Sequence, residues 1–214
     1  MAVQLLSLSK ESNEREWNIE LLIEESKIMR KNFGVKPFTY PQPVFIIATY
    51  DEDGTPNAMN AAWGGISGMN EISMCLSAGH KTVKNLLKRQ AFTVSMAESG
   101  HVIACDYIGI VSGNKVADKF SKAGFHATPS AFVDAPLIDE LSVAVECRLK
   151  TYDPETGILF GEIVNVSVDE RVLDEQGRVD AAKVSPIIFD SFNNDYLKIG
   201  EKVGKAFHDG KALR

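Results

Sequence analysis

Apolar segments separated by short turns dominate the chain from residue 44 onward. Residues 44–50 form an unbroken run of β-branched, aromatic and small residues, and Asp53 and Gly54, which follow, tolerate the positive φ values of a tight turn. This pattern predicts a strand and a hairpin turn. By the same criteria we expect further strands at residues 57–66, 72–77, 91–96, 142–151, 158–168 and 186–189.

Helical patterns interrupt these strands at few points. Residues 12–32 alternate charged with apolar side chains and Gly34 is a typical stop signal, which predicts an N-terminal amphipathic helix, packed on its own chain or on a partner. Shorter helices are predicted from His80 onward and at residues 102–110 and 115–123. The pattern favours a mainly β fold, a closed or partly split antiparallel barrel, over the alternative βαβ sheet.

Composition and charge restrict the classes of function. The chain has 214 residues, of which 44% are hydrophobic and 24% charged, which suits one domain with a sizeable core. Its net charge of −6 argues against a nucleic-acid partner. The three cysteines lack paired spacing, and neither a basic leader nor an apolar run of membrane-spanning length occurs. We therefore expect a cytoplasmic protein with no membrane partner.

Residues 77–86 join the end of a predicted strand to the start of a predicted helix. A helix N-terminus offers free N–H groups and a partial positive charge, and Ser77, Lys81, Thr82 and Lys84 would add donors around a phosphate. A capped surface helix with solvated lysines explains the same spacing. The sequence has no Walker A motif and no G-x-G-x-x-G after a strand, so a phosphate would be held in another way.

Other chemistry has little support in the sequence. The histidines lack the H-E-x-x-H pattern, and His101 and Cys105, four residues apart, lack further ligands, so we predict no metal site. The small residues that lead to Trp63, together with the segment 77–85 and Lys119, suit a ligand with a flat ring and a phosphate tail. Taken singly, Trp63 is equally a core aromatic residue and Lys119 a solvated lysine.

Seven motifs in consistent order across residues 34–200 make the interpretation specific. They are Pro41-x-Pro43-Val44, Asp53-Gly54-x-Pro56-Asn57-x-Met59-x-Ala61-x-Trp63, His80-Lys81-Thr82-x-x-Asn85, Asp106-Tyr107-x-Gly109-x-x-Ser112-Gly113, Asp118-Lys119-Phe120, Ala135-Pro136-Leu137-Ile138 and Glu146-Cys147. Together they resemble the flavin reductase-like, FMN-binding split-barrel family, and most closely its flavoredoxin branch. The N-terminal helix lies outside this resemblance.

The resemblance implies a six-stranded antiparallel split barrel that binds FMN as a homodimer. We expect an N-terminal helical extension at residues 1–34, the FMN-binding domain at residues 35–200 and a C-terminal tail at residues 201–214. The cofactor-binding residues that it implies are Met59, Asn60, Ala61, Ala62, Trp63, Ser77, His80, Lys81, Thr82, Asn85, Ser112, Gly113, Lys119 and Tyr196.

The implied activity is that of an FMN-dependent oxidoreductase. It would pass hydride or electrons from a reduced donor, either NAD(P)H or a redox protein, through bound FMN to an acceptor. A non-catalytic flavin-binding or flavin-storage protein is the alternative, and haem binding in an adapted split barrel is a third possibility. The sequence identifies no catalytic acid or base, and the donor, the acceptor and the use of free flavin as a substrate stay open.

Overall fold

A seven-stranded antiparallel sheet forms the centre of the unit that comprises residues 38–214. The computed structural model describes residues 28–214, and the chain divides into two compact units, residues 1–37 and residues 38–214. The finer predicted divisions after residues 34 and 200 stay predictions.

The strands and helices are short and follow each other closely. The strands are β1 (Gln42–Pro43), β2 (Phe45–Tyr50), β3 (Pro56–Ala61), β4 (Gly64–Gly68), β5 (Glu71–Cys75), β6 (Ala91–Met96), β7 (Ala127–Pro129), β8 (Pro136–Ile138), β9 (Val143–Tyr152), β10 (Ile158–Val168), β11 (Ile187–Asp190) and β12 (Asp195–Lys198). The helices are α1 (Lys81–Arg89), α2 (Val102–Ile110), α3 (Lys119–Lys122) and α4 (Ala181–Val184), with 3₁₀ turns at Ser99–His101, Glu170–Val172 and Asp209–Leu213.

The order of the strands shows that the large sheet curls into a barrel. Its order is β3-β2-β6-β9-β10-β5-β4, so β3 and β4 occupy opposite edges, yet only Ala62 and Trp63 separate them in sequence. Because a link of this length spans at most about 10 Å, the two edges must lie close together. Strands β1, β11 and β12 form a second sheet, and β7 and β8 form a third.

This architecture confirms the predicted mainly β, antiparallel split barrel. The number of strands differs, because the large sheet has seven where six were expected. The difference arises in the predicted segment 57–66, which bends at Ala62 and Trp63 and so contributes one strand to each edge of the sheet.

Strand β2 separates two hydrophobic clusters. Ile47 packs in an interior cluster with side chains of β5, β6, β9, β10 and helix α1. Ile46 and Ala48 belong to a second cluster, which also contains Ile108 of α2 and Phe120 of α3. Since successive side chains of a strand point to opposite faces, the uniformly apolar sequence of β2 reflects burial on both of its faces.

Helix α1 packs its apolar side against the interior cluster. Val83 and Leu86 are buried there, whereas Lys84 and Lys88 on the same helix are exposed. The helix ends at Gln90, whose φ of 56° is left-handed, and cationic side chains lie in its last turn. This packing fixes the position of the first turn of α1 relative to the sheet.

Helix α2 and the loop after it lie against β3, where two glycines permit the close approach. A Cβ atom at Gly109 would lie 2.1 Å from Asn60 Nδ2, and one at Gly113 would lie 2.4 Å from Asn57 Oδ1. The Cβ atom at Gly113 would also lie 3.2 Å from Lys81 Cβ. The loop therefore lies beside both β3 and the first turn of α1, with no room for a side chain at these positions.

Two predicted helices differ from the structure or lie outside it. The N-terminal helix at residues 12–32 falls almost wholly outside the described residues, and residues 28–32 have no regular secondary structure. Of the helix predicted at residues 115–123 only α3 is helical, because the chain turns before it: the Ser112 carbonyl accepts hydrogen bonds from the N–H groups of Lys115 and Val116, both at 3.0 Å. No helix within residues 28–214 has the length and apolar character needed to cross a membrane.

Candidate functional site

A cleft of about 150 Å³ opens where the first turn of α1, strand β3 and the chain from α2 to α3 meet. Its polar and charged lining residues are His80, Lys81, Thr82, Ser112 and Lys119, and the others are Met59, Ile108, Gly109, Ile110, Val111 and Gly113. No acidic residue of the described chain lines this cleft. The side chains that surround it therefore favour an anionic ligand.

Helix α1 begins at this cleft without a cap. His80, at the N-cap position, has an extended backbone and its side chain makes no capping hydrogen bond, and the first turn contains no acidic residue. In many helices a side-chain oxygen at this position satisfies one of the free N–H groups. Here the free N–H groups and the helix dipole together favour an anion.

Lys119 brings a buried positive charge to the cleft. Only 3% of the residue is exposed, and its Nζ donates hydrogen bonds to the carbonyl oxygens of Ile108 at 2.8 Å and Val111 at 2.9 Å. Within residues 28–214 no carboxylate forms an ion pair with it, and burial lowers its pKa to about 8. The ammonium group thus holds the end of α2 and keeps a charge that no side chain of the described residues neutralises.

Unlike Lys119, neither His80 nor Lys81 offers the cleft an uncompensated positive charge. Burial and the positive charge of Lys119 lower the pKa of His80 from its ordinary value of 6.5, so the imidazole is mostly neutral at pH 7. Lys81 Nζ lies 2.6 Å from Asp51 Oδ2. Lys81 lines the cleft, but Asp51 already compensates its charge.

Thr82 and Asn85 attach α1 to the sheet. Thr82 Oγ1 accepts a hydrogen bond from Asn57 Nδ2 of β3 at 2.7 Å, and Asn85 Nδ2 donates one to Thr49 Oγ1 of β2 at 3.2 Å. Both residues are buried, with 1% and 4% exposed. Thr82 lines the cleft, whereas Asn85 lies beneath it in the interface between helix and sheet.

Strand β3 and the two residues after it extend from the cleft to two further spaces. Met59 lines the cleft itself, and residues 60–62 line a cavity of about 140 Å³ together with Val44, Phe189 and Tyr196. Ala62 and Trp63 border an open groove of about 550 Å³, and because Ala62 belongs to both spaces, they adjoin. Since a strand rises about 3.3 Å per residue, Met59 at the charged cleft and Ala61 at the mainly apolar cavity lie about 7 Å apart along β3.

Tyr196 supplies a polar group to the cavity. Its hydroxyl donates a hydrogen bond to Asp106 Oδ1 at 2.8 Å, and burial together with this bond raises the pKa of Tyr196 to about 12. The phenol is therefore protonated at physiological pH. Asn60 Nδ2 donates to the Cys105 carbonyl at 3.3 Å, so both contacts join the cavity to α2.

The structure brings most of the predicted site residues to these three spaces. The cleft contains Met59, His80, Lys81, Thr82, Ser112, Gly113 and Lys119, the cavity contains Asn60, Ala61, Ala62 and Tyr196, and the groove contains Ala62 and Trp63. Ser77 and Asn85 line none of the three. The carbonyl of Ser77 accepts a hydrogen bond from the His80 N–H at 3.1 Å in the turn before α1.

Sequence reasoning missed the backbone wall of the cleft and two positioning side chains. The wall consists of Ile108, Gly109, Ile110 and Val111. Asn57 and Asp106, which hold Thr82 and Tyr196, lie within the quoted motifs and so carried a signal. The apolar wall residues carried none, apart from Gly109, because their type does not reveal that they line a cleft.

Comparison with known proteins agrees with the fold. A family model described as "Flavin reductase like domain" matches residues 38–188. An uncharacterized protein of Aquifex aeolicus (strain VF5) is 30% identical over 156 residues, which cover 69% of this chain and 79% of that protein.

Solved structures of two flavoredoxins are also similar. That of Desulfovibrio vulgaris (Miyazaki F) is 38% identical, with a TM-score of 0.81 over 85% of this chain and 100% of the flavoredoxin. That of Methanosarcina acetivorans is 28% identical, with a TM-score of 0.77 over 88% of this chain and 100% of the flavoredoxin. The chain therefore belongs to the flavin reductase-like split-barrel family, in its flavoredoxin branch.

Proposed function

We propose that this protein is an FMN-dependent oxidoreductase of the flavoredoxin type, which takes electrons or hydride from a reduced donor and passes them to an acceptor. The donor is either NAD(P)H or a redox protein. The observation that carries the proposal is the cleft at the start of α1, where an uncapped helix N-terminus meets the unneutralised ammonium group of Lys119 and no carboxylate among the described lining residues.

The donors of this cleft fit the phosphate of FMN. A phosphate monoester carries close to two negative charges at pH 7 and offers acceptor oxygens alone. The free N–H groups of α1 and the cleft-lining side chains of Lys119 and Ser112 are all donors. The neutral imidazole of His80 adds one N–H donor when its tautomer allows it.

Residues 60–63 fit the flat ring at the other end of the ligand. Three of these four residues have small or short side chains, and the strand leads from the cleft into the apolar cavity and the groove. Main-chain groups of such a strand approach a ring closely, and Trp63 and Tyr196 supply aromatic surface next to it. Bound FMN supplies the redox chemistry that amino-acid side chains do not provide.

The protein side of the reaction is binding and orientation. Lys119 and the start of α1 hold the charged end, and the apolar cavity receives the ring and excludes water from it. Tyr196 stays protonated and donates to Asp106, so it fixes the position of β12 relative to α2 rather than taking a proton. No side chain of the described site is assigned as a catalytic acid or base.

We also propose that the protein is a homodimer. Three large apolar side chains on or beside strand β4 are exposed, namely Trp63, Ile66 and Met69. Exposed apolar residues in such proximity are typical of a surface that another protein covers. Gel filtration with light scattering tests the proposal, which a monomer at micromolar concentration would contradict.

The absorbance spectrum of the purified protein, followed by anaerobic titration with NADH and NADPH, tests the function. We expect the two broad bands of a flavin, bleaching by one nicotinamide or by a reduced redox protein, and reoxidation by an acceptor. A yellow protein that is inert to every donor would support flavin storage instead. A sharp Soret band would indicate haem and overturn the proposal.

A further inference from the structure

The groove of about 550 Å³ beside Trp63 differs from the cleft in having no charge. It lies between the segment 39–43 and strands β5 and β10, and its aromatic lining residues are Trp63 and Phe160. No charged residue of the described chain lines it. Because a phosphate or a carboxylate would find no cation here, the groove favours an uncharged ligand.

A buried polar side chain without a partner opens on this groove. Gln42 lines it and is only 6% exposed, yet no hydrogen bond joins its amide to another residue between 28 and 214. The amide is not sealed from solvent either, because Ser95 Oγ is the one fully enclosed side-chain polar atom without a partner in this part of the chain. Buried amides are normally hydrogen-bonded. The N–H donors and the oxygen acceptor of Gln42 are therefore available to a molecule in the groove.

The second sheet holds Gln42 in place. Gln42 lies in β1 between two prolines, whose rings fix φ, and it pairs with Phe189 of β11. Just before it, the ring of Tyr40 stacks on that of Phe192, with 5.0 Å between the ring centroids. A side chain whose backbone is fixed in advance loses less conformational entropy when a ligand binds.

We propose that this groove binds a planar, uncharged carbonyl compound of the quinone class as the electron acceptor, and that Gln42 donates a hydrogen bond to one of its carbonyl oxygens. This inference rests on the proposed function, because the acceptor needs a reduced flavin beside it.

The lining of the groove matches a quinone better than a dinucleotide. Trp63 is 56% exposed, so its ring offers a face on which a flat ring can stack. The amide of Gln42 satisfies a carbonyl oxygen that would otherwise lose its hydrogen bond to water. The phosphates of NAD(P)H, by contrast, would have no cationic partner among the described lining residues.

The groove also lies where an acceptor would meet the flavin. Ala62 lines both the groove and the cavity that receives the proposed ring, so a quinone in the groove adjoins that ring. The quinone gains two electrons and two protons, which reduced FMN loses, and an O–H bond forms at each carbonyl oxygen to give the hydroquinone. Gln42 transfers no proton in this step and acts by orienting the acceptor.

The experiment measures binding of duroquinone to the purified, oxidised protein by isothermal titration calorimetry. The fully methylated ring of duroquinone leaves no free position for the exposed thiol of Cys75, which also lines the groove. Durene, which has the same methylated ring without carbonyl oxygens, is the control ligand. Thermal unfolding shows that each variant folds.

Two variants change the amide of Gln42. Gln42→Leu removes the amide at similar volume, and Gln42→Glu keeps the shape but replaces the donors by a carboxylate. The matched control is Gln176→Leu, the same change at an exposed position outside the groove.

We expect wild type to bind durene about 5- to 20-fold more weakly than duroquinone, because durene leaves the amide unpaired. Gln42→Leu should raise the Kd for duroquinone by a similar factor and bind the two ligands about equally. Gln42→Glu should weaken duroquinone binding at least as much. Gln176→Leu should behave as wild type, and the Kd for FMN should change by less than about threefold in every variant.

The outcomes separate this proposal from the proposed function. A yellow protein that binds duroquinone and durene equally, or that keeps its preference in Gln42→Leu, overturns the role of the groove alone. The comparison of the two ligands on wild type needs no variant, so it decides even if the variants do not fold. A protein without flavin that still prefers duroquinone through Gln42 supports the binding site and contradicts the proposed function. Failure of duroquinone to reoxidise the reduced flavoprotein anaerobically overturns its role as acceptor.

Discussion

At the scale of single residues, Gly113 couples the cleft to the packing of the sheet. Its α-carbon lies so close to β3 and α1 that an added Cβ atom would be 2.4 Å from Asn57 Oδ1. Asn57 in turn donates to Thr82 Oγ1. Any side chain at position 113 therefore displaces the hydrogen bond that joins β3 to the first turn of α1.

We expect Gly113→Ala to weaken FMN binding and to lower the free energy of unfolding by about 1–3 kcal/mol, because the added methyl group overpacks this contact. Urea unfolding and FMN titration measure the two effects. Gly100→Ala is the matched control, since a Cβ atom there meets nothing within 4 Å. Equal stability of the two variants would contradict the close packing of the loop.

The lysines show what sequence alone could predict about the site. Both lysines were predicted to bind the cofactor, Lys81 beside its phosphate and Lys119 near the flavin, and the structure places both in the cleft. Their partners could not be predicted, because Asp51 is distant from Lys81 in sequence and the carbonyl groups that hold Lys119 belong to the main chain. Which of the two keeps a free charge depends on the tertiary contacts.

At the scale of elements, helix α1 contributes different residues to binding and to stability. Its first turn lines the cleft, and one turn further Asn85 faces the sheet, where it donates to Thr49 Oγ1. The motif that contains both sets of residues gave them one predicted role, cofactor binding. Residues three apart, such as Thr82 and Asn85, share a face of the helix but lie about one turn apart along its axis. Thr82 therefore lies at the cleft, and Asn85 lies in the interface beneath it.

Asn85→Ala is expected to lower the free energy of unfolding by about 1–3 kcal/mol, since it removes a buried hydrogen bond and leaves Thr49 without its donor. The Kd of the folded variant for FMN should change by less than about threefold. Lys88→Ala, on the exposed side of the same helix, is the control and should leave the stability within about 0.5 kcal/mol. A large loss of FMN affinity at unchanged stability would instead place Asn85 in the binding site.

The element pattern was predictable where it is local and less so where it depends on distant pairing. Strands β2, β6, β9 and β10 and helices α1 and α2 follow from apolar runs, turns and helical periodicity. The small sheet of β1, β11 and β12 was missed in part, because β1 has two residues and β12 is mostly exposed. Strand β1 pairs with β11, more than 140 residues further along the chain, and no local pattern reveals that pairing.

At the scale of the whole molecule, the proposed ligand lies across several elements at once. The cleft involves α1, α2 and α3, the cavity involves β3 and β12, and the groove involves β5 and β10. A ligand that binds the folded state alone stabilises it by mass action. FMN binding should therefore be visible in the stability of the entire unit formed by residues 38–214.

Apoprotein with FMN at 100 times its Kd should gain about 2.7 kcal/mol in the free energy of unfolding. For a chain of this size the gain corresponds to a rise in Tm of about 5–11 °C. Circular dichroism melts with FMN, with riboflavin and without ligand measure it, and Gly113→Ala is expected to show a smaller rise. An unchanged Tm under these conditions would mean that FMN does not bind the folded protein.

The two-residue link of Ala62 and Trp63 gives the barrel a seam where its two edges meet. Its neighbours in sequence belong to hairpins at opposite edges, β2 with β3 and β4 with β5, so each hairpin can form by itself before the seam is joined. A flavin ring bound along residues 60–63, as proposed, would bridge this seam. Loss of the ligand should then increase the rate of amide hydrogen exchange first in β3 and β4. Strands β6 and β9 are paired on both sides in the middle of the sheet, so their amides should stay protected.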